Sequence, residues 1–130
     1  MEFRQYQADI ITKGVNVLLQ HKFLYLAMEV RTGKTLTSLG ISQRLGCKNV
    51  LFVTKKKAIT SIQSDYEMLS PPYNICVINY ESLHKLEPDD WDMVILDEAH
   101  GMGAFPKPSK RARQVKEIIK KTDCYVCLLS

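Results

Sequence analysis

The sequence predicts an α/β domain, a parallel β-sheet flanked by helices on both faces. Three observations carry that expectation. Short apolar runs alternate with longer segments of helical period along most of the chain, which is the signature of parallel strands joined by helical crossovers. The apolar runs show little polar alternation, the pattern of strands covered on both faces. At 130 residues and 45% hydrophobic, the chain has material for one core, so these elements belong to a single domain.

In order, Tyr6, Ile11, Val15, Leu18 and Leu19 recur at helical spacing and predict an amphipathic helix ending near His21-Lys22. Phe23-Leu24-Tyr25-Leu26-Ala27 is a continuous apolar run, read as a strand buried on both faces. A helix over 34–45 follows, then a strand over 50–53 and a helix carrying Ile59, Ile62, Tyr66 and Leu69. Next come a strand over 75–78, a short helix around 82–86 and a strand over 93–96. A helix with Val115, Ile118 and Ile119 and a strand over 125–129 complete the pattern. Ser70-Pro71-Pro72 and the Gly- and Pro-rich stretch 101–108 break both periods and predict loops.

The bulk properties exclude little. The net charge of +4 is compatible with a polyanionic partner without selecting one. No apolar run reaches bilayer-spanning length, so the chain reads as cytoplasmic with no membrane partner. Cys47, Cys76, Cys124 and Cys127 lie in or beside apolar segments, as buried free thiols do. The CxxC spacing of Cys124 and Cys127 also fits zinc or redox chemistry, but it runs on into Leu128-Leu129 and lacks a second ligand pair. Buried strand residues are the preferred reading. His21 and His84 lack any ligand pattern and are assigned to the surface.

Two motifs carry chemistry. Met28-Glu29-Val30-Arg31-Thr32-Gly33-Lys34-Thr35 follows a strand and opens a helix, the context that a phosphate-binding loop requires. Backbone N–H groups at the helix start, aided by the helix dipole, can face phosphates there. Gly33 permits the turn, Lys34 reaches the β and γ phosphates, and the Thr35 hydroxyl ligates Mg²⁺. Glu29, Val30, Arg31, Thr32 and Leu36 complete the expected nucleotide contacts, although Met28 replaces the glycine that usually opens the loop.

The second motif, Asp97-Glu98-Ala99-His100, ends the apolar run 93–96. Ligand chemistry in parallel sheets gathers at the C-terminal ends of strands, so both motifs are expected on one edge. Asp97 would hold Mg²⁺ and Glu98 would orient and deprotonate the attacking water. A kinase also uses a phosphate loop, but a strand-terminal Asp-Glu pair favours hydrolysis of a nucleoside triphosphate over transfer to an acceptor.

With these residues in place, the chain resembles helicase superfamily 2, and within it the Snf2-type duplex-DNA translocases, including the DEAH-box form of the acidic motif. Glu29 is shared with the Snf2 loop, which likewise lacks the first glycine, whereas Arg31 stands where that family has glycine and either touches nucleotide or points to solvent. The resemblance implies a RecA-like P-loop NTPase lobe over 1–130, ending before a second RecA-like lobe that would supply an arginine finger. It also implies that Tyr6-Gln7 recognises adenine and that His100 couples the two sites. Thr54, Lys55 and Lys56, after the second strand, and Tyr80, after the third, resemble segments that contact nucleic acid. The basic run Lys55-Lys56-Lys57 fits such a backbone contact. The later run from Lys107 through Lys121 either faces DNA or is a solvated helix face, the preferred reading. The expected activity is ATP hydrolysis coupled to DNA movement, weak in this lobe alone. A restriction-type motor lobe and a nonenzymatic nucleic-acid-binding module are the alternatives.

Overall fold

The computed structural model describes residues 3–26, 33–86, 90–97, 116–120 and 123–129. Helix α1 (Gln5–His21) leads into β1 (Phe23–Leu26), followed by α2 (Lys34–Arg44), β2 (Asn49–Thr54), α3 (Ile59–Leu69), β3 (Asn74–Asn79), β4 (Met93–Leu96) and β5 (Tyr125–Leu129). Two 3₁₀ turns, Lys56–Ala58 and Tyr80–Lys85, follow β2 and β3. Residues 116–120 are helical. The predicted loop 101–108 and Val115 lie outside the described residues.

The five strands form one sheet in the order β1-β5-β4-β2-β3, and each pairing is parallel. Because side chains alternate across a strand, the register sorts the core into two layers. Leu24, Leu26, Val50, Phe52, Met93, Ile95, Cys127 and Leu129 share one face with Ile11 and Leu18 of α1, Leu39 and Ile41 of α2 and Ile62 of α3. Leu51, Val53, Val94, Leu96 and Val126 share the other with Tyr80, Leu83 and Trp91, and with Ile118 and Ile119 packed at its margin.

The helical period of α1 was legible, but its buried face was not fully so. The buried residues are Gln7, Ile11, Gly14 and Leu18, whereas Tyr6 and Leu19 are exposed. The face is set by close packing on α2: a Cβ on Gly14 would meet Ile41 Cδ1 at 2.8 Å, and one on Gly40 would meet Ile11 Cδ1 at 2.8 Å. Thr37, Ser38 and Ser42 of α2 are fully buried, yet each hydroxyl donates to a carbonyl within α2 or at its cap, Gly33, Thr35 and Ser38 respectively. Polar atoms thereby enter the interior without an unpaired group.

Strand β1 departs from expectation. Leu24 and Leu26 are buried, but Phe23 and Tyr25 are exposed. β1 is an edge strand, and among the described residues its buried side chains belong to the layer containing α1. The CxxC pair behaves as buried strand sequence: Cys127 joins one core layer and Cys124 the other, because residues three apart on extended backbone face opposite ways. None of the four cysteines forms a disulfide. No described helix is long and apolar enough to cross a membrane.

Candidate nucleotide-binding site

The site forms where β2 and β4 end beside the start of α2. Gly33 caps α2 with φ +74°, left-handed backbone that an L side chain adopts at a cost. It offers no side-chain cap, and the first N–H groups of a helix have no intrahelical acceptor. A Cβ at Gly33 would also run into Gln7 Nε2. Gln7 is buried, and its Oε1 accepts from the Arg4 N–H at 3.0 Å. The glutamine predicted to recognise adenine therefore sits against the phosphate-loop glycine, tying the start of α1 to the start of α2.

Asp97 lies one residue past β4, and its N–H continues the ladder by donating to Val53 O at 2.8 Å. Only 6% of Asp97 is exposed. Its Oδ1 lies 3.6 Å from the Lys34 Nζ, while its Oδ2 accepts from the Thr54 hydroxyl at 2.8 Å. The Asp97 carbonyl accepts from the Tyr80 hydroxyl at 2.7 Å. Lys34 and Asp97, far apart in sequence, thus meet at the sheet edge where the sequence expected them.

Two of the residues expected to contact nucleic acid have inward-facing side chains. Thr54 and Tyr80 are buried, and their hydroxyls engage Asp97, so neither side chain offers its hydroxyl at the surface. Extended backbone past Val53 turns Thr54 inward, onto the face shared with Asp97. Lys55, Lys56 and Lys57 are exposed immediately after it and form the surface element of that segment. His21 and His84 are exposed. Glu29, Val30, Arg31, Thr32, Glu98 and His100 lie outside the described residues, as do residues 101–115. Thr35 and Leu36 occupy the first turn of α2 and are half-buried.

Sequence reasoning missed a cavity of about 290 Å³ between α1 and α2, bounded by Phe3, Ala8, Ile11, Gly40, Gln43 and Arg44. Its signal was faint: a small residue on α2 facing an aromatic ahead of α1. Among the described residues, no group of three or more His, Cys, Asp or Glu side chains could hold a metal ion. Among the described residues, Asp97 and Thr35 are the two that the sequence nominated as oxygen donors to a cation.

Residues 1–74 match the family described as type III restriction enzyme, res subunit. No curated protein matches the sequence. Among solved structures, the chain is similar to a nuclease-deletion mutant of the Type ISP restriction-modification enzyme LlaGI in complex with a DNA substrate mimic. The TM-score is 0.68 at 16% identity, covering 100% of this chain and 17% of that one. The likeness agrees with the RecA-like α/β architecture expected from the sequence. The chain spans 17% of the length of that structure.

Proposed function

The chain belongs to the type III restriction enzyme res-subunit family, a helicase-like family, and from that premise we propose that it is the ATP-binding lobe of a DNA motor. The observation that supports this most directly is the Lys34–Asp97 pair at 3.6 Å, beside the uncapped start of α2. A cation, a carboxylate and the N–H groups of a helix start converge there, as nucleoside triphosphate binding requires.

In this reading the α2 N–H groups and Lys34 bind the phosphates, and Gln7 meets the adenine from its seat beside Gly33. Asp97 and Thr35 are hard oxygen donors of the kind Mg²⁺ takes, and the Asp97 Oδ1 already faces a cation in Lys34, so these residues fit the metal. Bound Mg²⁺ would neutralise charge developing on the transferred phosphoryl group. Glu98, next in sequence, takes the proton of the attacking water, and His100 couples the site to the DNA-binding surface. Lys55, Lys56 and Lys57 hold the nucleic-acid backbone, with duplex DNA the preferred substrate from the Snf2-type resemblance. A second RecA-like lobe supplies the arginine that completes the site, so this lobe binds ATP better than it hydrolyses it. The family match also favours a restriction-type motor as the parent.

Calorimetric titration with MgATP tests the assignment. Lys34→Ala removes a charged contact worth about 1.5–3 kcal/mol, so affinity should fall roughly 10- to 100-fold. Equal affinity in the variant would refute the nucleotide site.

A further inference from the structure

Thr54 stands apart from the phosphate loop and the acidic box in sequence, yet its hydroxyl bonds the Asp97 carboxylate at 2.8 Å, closer than Lys34 at 3.6 Å. Three observations define it. The β2–β4 register pairs Val53 with Leu96, so continuing one residue sets Thr54 opposite Asp97 on the same face. Thr54 is fully buried, which shields its 2.8 Å bond to Oδ2 from competing water. Lys34 engages the other oxygen, Oδ1.

We propose that Thr54 is a positioning residue for Asp97: its hydroxyl holds Oδ2 and so dedicates Oδ1 to the cation at the phosphate-loop side. The proposal rests on the nucleotide-site reading above. A carboxylate tethered at one end alone can turn about its Cβ–Cγ bond and exchange its two oxygens. The Thr54 donor removes that freedom, and β-branching restricts its own χ1 in a strand. Tyr80 reinforces the arrangement from the opposite core layer by donating to the Asp97 carbonyl. The orientation of the metal-facing oxygen is therefore built by the ends of β2 and β3, the segments that lead into the exposed lysines. Lys34 faces Oδ1 at 3.6 Å; with MgATP bound, the ammonium would serve the phosphates and Asp97 would hold the metal through this oxygen.

The test compares ATP binding with Mg²⁺ and with EDTA, by calorimetry, for wild type, Thr54→Val, Thr54→Ala and Thr54→Ser. Loss of one buried hydrogen bond leaves a protein of ordinary stability folded, and urea unfolding of each variant verifies this. Two hydroxyl-free variants of different shape guard against a packing artefact at either one. The expected result is that Thr54→Val and Thr54→Ala weaken MgATP binding about tenfold, the equivalent of about 1.4 kcal/mol. Binding of metal-free ATP should change far less, and Thr54→Ser should restore the Mg²⁺ preference. Undiminished preference in the hydroxyl-free variants, or an equal loss in Thr54→Ser, overturns the positioning role. Failure of wild type to bind ATP with or without Mg²⁺ overturns the nucleotide site itself, a distinguishable outcome.

Discussion

Replacing Gly33 with alanine should destabilise the domain by about 2–3 kcal/mol, for two separable reasons. The backbone at φ +74° costs an L residue roughly 1–2 kcal/mol. The new Cβ would also run into Gln7 Nε2, displacing a side chain whose Oε1 accepts from the Arg4 N–H at 3.0 Å. Losing that bond adds about 1 kcal/mol. Gly46 supplies the control: its φ is also +74°, but a Cβ there meets nothing within 4 Å. Gly46→Ala should therefore show the backbone cost alone. Urea unfolding of wild type, Gly33→Ala, Gly46→Ala, Gln7→Ala and the Gly33→Ala/Gln7→Ala double variant separates the two contributions. Gly33→Ala should cost about 1 kcal/mol more than Gly46→Ala, and much of that excess should vanish when Gln7 is already alanine. Equal costs at the two glycines would refute the argument that Gln7 is wedged against the phosphate loop.

Two further outcomes follow from charge and burial. Changing Lys55, Lys56 and Lys57 together to glutamine should weaken duplex-DNA binding at low salt and reduce the slope of log K against log salt by up to about three, as measured by fluorescence anisotropy; an unchanged slope would remove the lysines from the interface. Burial pushes the Cys47 thiol, with help from the Asp92 charge, and the Cys127 thiol from 9.0 up to about 12. A raised acid pKa means that the folded state keeps its proton after the unfolded chain has lost it. Stability from these thiols is thus fully present below pH 9 and is lost as pH rises toward 12. Cys127→Ala should flatten the fall in urea midpoint between pH 8.5 and 10.5, and an identical fall in the variant would contradict that account.

The elements were legible because their signals are local. The runs that became β2, β4 and β5 are continuous apolar segments, and β4 is buried at every position. The placement of Gly33-Lys34-Thr35 at a helix start and of Asp97 past a strand end was legible because an apolar run precedes each motif. Less legible was which side of an element faces what. Hydrophobicity nominated Tyr6 and Leu19 for the buried face of α1, whereas close packing on α2 selected Gln7 and Gly14. A buried glutamine and a buried glycine carry no apolar signal.

The same distinction separates Thr54 from Lys55. The sequence by itself determined an α/β chain with Gly33 opening a helix and an acidic strand end, since periodicity and motif patterns act over a few residues. Tertiary structure alone decided that β1 is an edge with Phe23 and Tyr25 exposed, because strand order depends on which crossovers pack best. It also decided that the Thr54 hydroxyl bonds Asp97 rather than reaching the surface. That contact spans 43 residues and exists only because the parallel register of β2 and β4 sets two strand ends side by side, a relation between segments that neither segment encodes alone.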